Sequence, residues 1–263
     1  MQIIRDGRAT LAHAVLALGM FDGVHIGHRV LLEKAHALAR EREVPLVVCT
    51  FLNHPMALIA PTKCPPCLTT FEERAKLMEA LGVDLLYAMP FDHRLMEMLP
   101  ENYVGELVRR FHPTDVVCGY NHSFGRKGQG SPALLAALGG ALGFATYVVP
   151  KITLGGRNVS STAIRALLAD GDAAQAREML ARPYVRGAAV VTRGADAWEF
   201  MLRNDGKQNV ADGLYRALAS WAGRTVPLTL RMRGALGGSC GAIGAIAPHE
   251  EIEIQYLTRK PER

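Results

Sequence analysis

Between residues 14 and 149 the chain alternates short, dominantly apolar runs with longer stretches whose apolar positions recur at helical spacing. The runs 14–18, 45–49, 84–88, 115–118 and 145–149 lack the polar alternation of a half-exposed strand and predict parallel strands buried on both faces. The stretches 29–42, 71–81, 101–111 and 132–142 predict the helices between them. Thr70 with Glu73 three residues later reads as a capping box opening the second of these helices, and Gly82 as its stop. Repeated strand–helix alternation implies an α/β fold built on a doubly wound parallel sheet. Such sheets bind ligands beyond the carboxyl ends of their strands, so the loops that follow the strands carry the chemistry.

Past Val159 come two short helices, 161–169 and 172–180, separated by Gly171. From Pro183 onward the pattern changes to a period of two. Val190-Val191, 198–202, 226–232 and 252–256 predict half-buried strands, interrupted by one helix over 210–221. The expected organisation is a doubly wound domain over 1–182 and a smaller β-rich α+β or barrel-like domain over 183–263.

The chain has 263 residues, 49% hydrophobic and 21% charged, which excludes disordered and collagen-like classes. Five cysteines are too few, and odd in number, for a secreted disulfide framework, so a reducing cytoplasm is expected. Residues 11–21, after Arg5 and Arg8, mimic the apolar centre of a signal peptide. No small-residue cleavage site follows, and Asp22, His25 and His28 do, so a buried strand entering a polar loop is the better reading. The uncharged stretch between Lys127 and Lys151 matches a membrane span in length, but Gly139, Gly140 and Gly143 break it into a helix and a strand. The net charge of +5 suits anionic small molecules as well as nucleic acid and does not choose between them.

The loop after the first apolar run reads Gly19-Met20-Phe21-Asp22-Gly23-Val24-His25-Ile26-Gly27-His28, with a helix expected from Arg29. A helix N-terminus offers unpaired N–H groups and partial positive charge to a phosphate. Gly27 permits close backbone approach, and two imidazoles can donate to phosphate oxygens as charge grows during transfer. The competing readings are a pair of structurally satisfied histidines at a helix start, or a metal pair lacking its third ligand. A second phosphate device lies at Ser160-Ser161-Thr162-Ala163-Ile164-Arg165. Its hydroxyls stand at a helix start, and Arg165, one turn along, leans back toward the same point.

Together these two elements resemble the HIGH-type nucleotidyltransferase superfamily, and within it the adenylyltransferase module of the bacterial bifunctional riboflavin kinase/FAD synthetase family. Three further stretches carry the narrower resemblance: Thr50-Phe51-Leu52-Asn53-His54-Pro55, Gly119-Tyr120-Asn121-His122-Ser123-Phe124-Gly125, and Arg182-Pro183-Tyr184. The resemblance covers residues 14 to about 190 and implies a Rossmann-like domain that joins ATP and FMN into FAD, with Mg²⁺ to neutralise the triphosphate. It implies catalytic roles for His25, His28 and Arg165. Nucleotide contacts fall to Gly19, Phe21, Asp22, Gly23, Gly27, Gly119, Ser160, Ser161 and Thr162, with Asp22 a candidate Mg²⁺ ligand. Flavin contacts fall to His54, Pro55, Asn121 and Phe124. The implied partners are these small molecules, with neither nucleic acid nor membrane.

The chain departs from the family at Met20, at Asn53 and in Gly128-Gln129-Gly130-Ser131, which lacks the usual acidic residue. It also lacks the Gly-Phe-Pro-Thr-Ala-Asn run of the kinase half. None of Pro227, Pro248 and Pro261 is followed by threonine, so a truncated, degenerate kinase-like domain without riboflavin kinase activity is expected. The alternatives are another adenylyltransferase, with nicotinamide mononucleotide as acceptor, or a flavin-nucleotide binding protein that has lost catalysis. Cys64-Pro65-Pro66-Cys67 has the spacing of half a metal or redox site but no second pair, and reads as a mobile loop. The glycine-rich stretch 234–244 reads as a flexible connection, and Arg224, Arg231 and Arg233 as a solvated strand face.

Overall fold

The computed structural model describes residues 1–5, 10–193, 197–234, 237–241 and 249–261. By contacts the chain divides into two compact units: Met1–Pro65 with Phe71–Thr153, and Pro66–Thr70 with Leu154–Arg263.

The first unit holds a six-stranded, wholly parallel sheet: β1 (Gln2–Ile4), β2 (Ala14–Leu18), β3 (Leu46–Phe51), β4 (Leu85–Met89), β5 (Pro113–Gly119) and β6 (Ala145–Val149), in spatial order β1-β4-β3-β2-β5-β6. The helices are α1 (Ile26–Arg42), α2 (Met56–Ile59), α3 (Phe71–Ala80), α4 (His93–Met96), α5 (Pro100–Phe111) and α6 (Pro132–Leu142). Buried residues of α1 and α3 pack on one face of the sheet and those of α5 and α6 on the other. The central strand β2 is at most 1% exposed throughout, which is why its sequence has no polar face. The chain travels outward from β2 through β3 and β4, then returns to the other side of β2 with β5. The direction of winding therefore reverses between β2 and β5, and a crevice opens there at the carboxyl ends. The five expected strands and four expected helices are present, but β6 is an edge strand with Ala145 and Val148 exposed, so it is not buried on both faces. The three-residue edge strand β1 is too short for a periodic signal. The uncharged stretch between Lys127 and Lys151 forms α6, closed by Gly143 in the left-handed region, and then β6. Among the described residues no helix is long and apolar enough to cross a membrane.

A two-residue ladder, β7 (Thr153–Leu154) with β8 (Arg157–Asn158), leads into the second unit, which continues with the helices α7 (Ser161–Ala169) and α8 (Ala173–Leu180). Then come β9 (Tyr184–Arg193), β10 (Ala197–Leu202), β11 (Gly213–Trp221), β12 (Arg224–Arg233), β13 (Gly237–Gly241) and β14 (Glu251–Lys260). These six strands close an antiparallel barrel in the order β10-β13-β12-β11-β14-β9, and α8 packs on β9 and β14. The helix expected over 210–221 is the strand β11. Tyr215, Ala217, Ala219 and Trp221 alternate inward with a period of two. Alanine and leucine disguised that period as helical, but pairing with β12 on one side and β14 on the other overrides their propensity. The described part of the glycine-rich stretch forms β13 rather than a flexible connection, while 235–236 and 242–244 lie outside the described residues. Arg224, Arg231 and Arg233 lie along β12, exposed or half-buried.

Candidate functional site

The loop leaving β2 is held by unusual backbone geometry. Phe21, Gly23 and Val24 all have positive φ, at 55°, 81° and 40°. For a β-branched valine this is an outlier of the kind that surrounding structure must hold in place. Phe21 is fully buried, and its ring lies against Gly19, where a Cβ would come within 3.1 Å of it. The loop is tied down from outside by Arg74 of α3. This buried guanidinium donates to the Met20 carbonyl at 2.9 Å and to the Phe51 carbonyl at 2.7 Å, and the Thr50 hydroxyl also donates to Met20 O. Sequence reasoning missed Arg74. Its only signal was a charged residue on the same helical face as the buried Ala75 and Met78.

The two histidines open α1 together and stack on each other. α1 begins at Ile26 rather than Arg29 because His25 is its N-cap, its Nδ1 accepting from the His28 backbone N–H at 3.3 Å. That acceptor role assigns the proton of a neutral His25 to Nε2. The His25 and His28 rings stack at 3.7 Å, and His28 meets the edge of Phe21 at 5.2 Å. A Cβ on Gly27 would sit 3.2 Å from the His25 ring, so glycine makes room for the stack. His28 is held well below the ordinary imidazole pKa, chiefly by burial, then by His25 and by Arg74. It is therefore neutral at pH 7, and its Nδ1 is buried with no hydrogen-bond partner among the described residues. Asp22, in the same loop, is 3% exposed.

A cleft of about 340 Å³ opens at the crevice between the ends of β2 and β5. It is lined by Gly19, Phe21 and His28 from the first loop, His54 and Pro55 from the second, and Gly119 and Asn121 from the third. Among the described residues no Asp, Glu, Lys or Arg lines it. Cys49 and Tyr103, which also line it, are both driven by burial toward higher pKa and stay protonated. The wall is thus uncharged, partly aromatic and supplied with amide, hydroxyl and imidazole groups, at the small end of the range for ligand cavities. His54 accepts the Met56 N–H at Nδ1, and Asn53 exchanges a reciprocal pair of hydrogen bonds with the Phe91 backbone, fixing that corner.

The third loop differs from expectation in one respect. Phe124 does not line the cleft: it is 7% exposed and packs on Tyr103 and His122, with its backbone paired to Gly130. A Cβ at Gly130 would lie 2.5 Å from its ring. His122, not singled out from sequence, faces the cleft instead. Burial lowers its pKa to about 4, and its Nε2 has no partner among the described residues.

The hydroxyl-rich turn lies in the second unit. Ser160 is the N-cap of α7, its Oγ accepting from the Ala163 N–H at 3.1 Å, with Ser161 and Thr162 in the first turn. Arg165 donates through Nε to the Pro66 carbonyl at 2.7 Å. The Cys64–Cys67 stretch is not a free loop. Cys67 pairs with the Gly206–Gln208 backbone, donating to Gly206 O at 2.9 Å and accepting from Gln208 N at 2.7 Å. Among the described residues no group of three or more His, Cys, Asp or Glu could hold a metal ion.

The sequence family described as FAD synthetase matches residues 8–163. The chain is 33% identical over 178 residues to a bifunctional riboflavin kinase/FMN adenylyltransferase of Listeria monocytogenes, covering 67% of this chain and 56% of that protein. It is 34% identical over 196 residues to the protein of the same name from Escherichia coli K12, covering 73% and 63%. A Listeria monocytogenes FAD synthetase is 31% identical over 185 residues, covering 70% of this chain and 73% of that one. The chain thus spans roughly three fifths of the bifunctional relatives. Among solved structures, a Streptococcus pneumoniae protein titled macrolide-efflux protein superposes with a TM-score of 0.89 over all of this chain and 91% of its own, at 21% identity, a likeness of fold. With more than half of its length inside the family's match, this chain belongs to the FAD synthetase family.

Proposed function

We propose that the protein is an FMN adenylyltransferase: the phosphate of FMN attacks the α-phosphorus of ATP, giving FAD and pyrophosphate. The observation that carries this reading is the uncharged, aromatic-edged cleft at the sheet's reversal point, with a neutral imidazole at its wall beside a helix N-terminus. A planar, uncharged ring system suits such a wall. The smaller relative named FAD synthetase, most of which this chain covers, supports the same assignment.

The chemistry asks little of the protein beyond alignment and charge stabilisation. An FMN phosphate is already anionic, so its oxygen attacks without a protein base, and among the described residues no carboxylate lines the cleft. One P–O bond forms at the α-phosphorus and the bond to the β-phosphate bridge breaks, the electron pair leaving on pyrophosphate. His28 and the Nε2–H of His25 are the donors assigned to the charge that grows on the α-phosphoryl oxygens, with the first N–H groups of α1. Gly19, Phe21, Gly23, Gly27 and Gly119 shape the approach. His54, Pro55 and Asn121 hold the flavin side, with Phe124 supporting His122 from beneath. Ser160, Ser161, Thr162 and Arg165 are assigned to the pyrophosphate end of ATP. The donor set fits Mg²⁺ arriving with the triphosphate better than a resident site, with Asp22 as the one carboxylate offered by the loop. This machinery is assigned to 1–182 and a reducing cytoplasm, without riboflavin phosphorylation by 183–263, whose sequence lacks the kinase run.

Incubating the protein with ATP and Mg²⁺ plus either FMN or nicotinamide mononucleotide, and separating the dinucleotides by chromatography, tests the reading. FAD formation from FMN alone is expected. Conversion of nicotinamide mononucleotide instead would move the protein to another adenylyltransferase branch, and FMN binding without pyrophosphate release would make it a binding protein.

A further inference from the structure

The barrel of the second unit has no assigned part in this chemistry, yet a continuous run of hydrogen bonds leads from its interior to Arg165. It starts at Arg186 on β9, a guanidinium 1% exposed. Arg186 donates to the Arg203 carbonyl at 2.7 Å, the Gln208 carbonyl at 3.1 Å, the Asp205 carboxylate at 3.2 Å and the Asn209 side-chain oxygen. The Tyr184 hydroxyl donates to the same Gln208 carbonyl at 2.5 Å, and Lys207 turns inward to donate to Val185 O at 2.6 Å. The connection 203–209 is thus gripped from within the barrel, unlike an ordinary surface loop. Its outer edge then makes a short parallel pairing with Cys67 through the Gly206 carbonyl and the Gln208 N–H. The adjacent Pro66 carbonyl receives the Nε–H of Arg165. The far end of α7 is held by the barrel side as well, through Ala211 N–H to Leu168 O and Arg259 to Asp170 O, each at 3.0 Å.

We propose that the barrel acts as a positioning scaffold for Arg165: the 203–209 connection sets the 66–67 segment, and the Pro66 carbonyl sets the plane of the guanidinium. A guanidinium grips phosphate oxygens as a planar fork, so its orientation matters as much as its charge. With Nε committed to a fixed carbonyl, the terminal nitrogens point in a defined direction before any ligand arrives. The scaffold explains why a domain lacking the kinase run keeps a buried arginine clamp. It also gives the Cys64-Pro65-Pro66-Cys67 stretch a backbone role that needs no thiol chemistry. The inference rests on Arg165 being the polyphosphate-binding residue of the proposed reaction, although the geometry it describes is testable without that reaction.

Two substitutions on the full-length protein test it. Cys67→Pro removes the N–H given to Gly206 while Cys67→Ala keeps it; Tyr184→Phe loosens the 203–209 connection should the proline variant not fold. The direct readout is the Arg165 Nε–H resonance in a ¹H–¹⁵N spectrum, identified by its loss in Arg165→Lys. It should resist exchange with water in the wild type and in Cys67→Ala, and exchange several-fold faster in Cys67→Pro and Tyr184→Phe. In kinetics, kcat/KM for ATP should fall about tenfold in Cys67→Pro, since small misplacements of positioning groups are costly. KM for FMN should stay constant, and the same substitution in an Arg165→Ala background should have no further effect. Rapid exchange in the wild type, no change in either loosened variant, or additive losses with Arg165→Ala would overturn the proposal. If the resonance behaves as described while no FAD forms, the scaffold stands and the reaction assignment falls.

Discussion

Lowering the pH from 7.5 to 5 should weaken the first unit through two imidazoles that the fold holds neutral, those of His28 and His122. His122 is lowered by burial from 6.5 to about 4, and His28 is shifted in the same direction. In the unfolded chain both rings take up protons as the pH drops through 6.5, whereas in the folded protein they resist. Their contribution is therefore complete above pH 6.5 and is lost progressively as the pH falls toward the folded value. For His122 alone the linkage between 6.5 and 4 comes to about 2 kcal/mol at pH 5, and roughly 1 kcal/mol after allowing for its partly exposed ring. Other groups of the protein change charge over the same range, so the informative quantity is a difference. Urea unfolding followed by far-ultraviolet circular dichroism at pH 7.5 and pH 5 should show the wild type losing about 1 kcal/mol more than His122→Phe, which keeps an aromatic ring against Phe124. Equal losses in the two proteins would mean that the imidazole is not held neutral by the fold.

Three substitutions probe the site further. His28→Ala should lower kcat for FAD formation by about 10² or more, the effect of losing one preorganised donor, with circular dichroism unchanged. Arg74→Met removes two charge-assisted bonds to Met20 O and Phe51 O and should cost on the order of 3 kcal/mol in urea unfolding. It should also raise the His28 pKa in an NMR titration, since Arg74 contributes to its depression. Gly130→Ala drives a methyl group into the Phe124 ring and should cost about 1 to 3 kcal/mol in thermal melting, a loss relieved in a Phe124→Leu background.

The doubly wound sheet was legible because its strands are apolar on both faces and its helices carry a single buried stripe, two patterns that do not resemble each other. β11 was not legible: the alternation of Tyr215, Ala217, Ala219 and Trp221 is filled in by Leu214 and Leu218, and only partners distant in sequence decide between helix and strand. At the site, His25 and His28 announced themselves through spacing and glycines. Their division of labour did not, because capping by His25 and the orphaned Nδ1 of His28 depend on where α1 begins. Arg74 and His122 were hidden for another reason. Each acts through burial supplied by other elements, and no local pattern records that a charged or titratable residue will be enclosed. Phe124 shows the converse, a residue in a candidate site loop whose ring belongs to the core.

Whether this chain joins ATP to FMN is decided by FAD formation from ATP, Mg²⁺ and FMN by the purified protein, beside a control in which riboflavin replaces FMN. FAD and stoichiometric pyrophosphate are expected in the first reaction, and no FMN in the second. Absence of FAD with FMN bound, or preferential use of another mononucleotide, would contradict it.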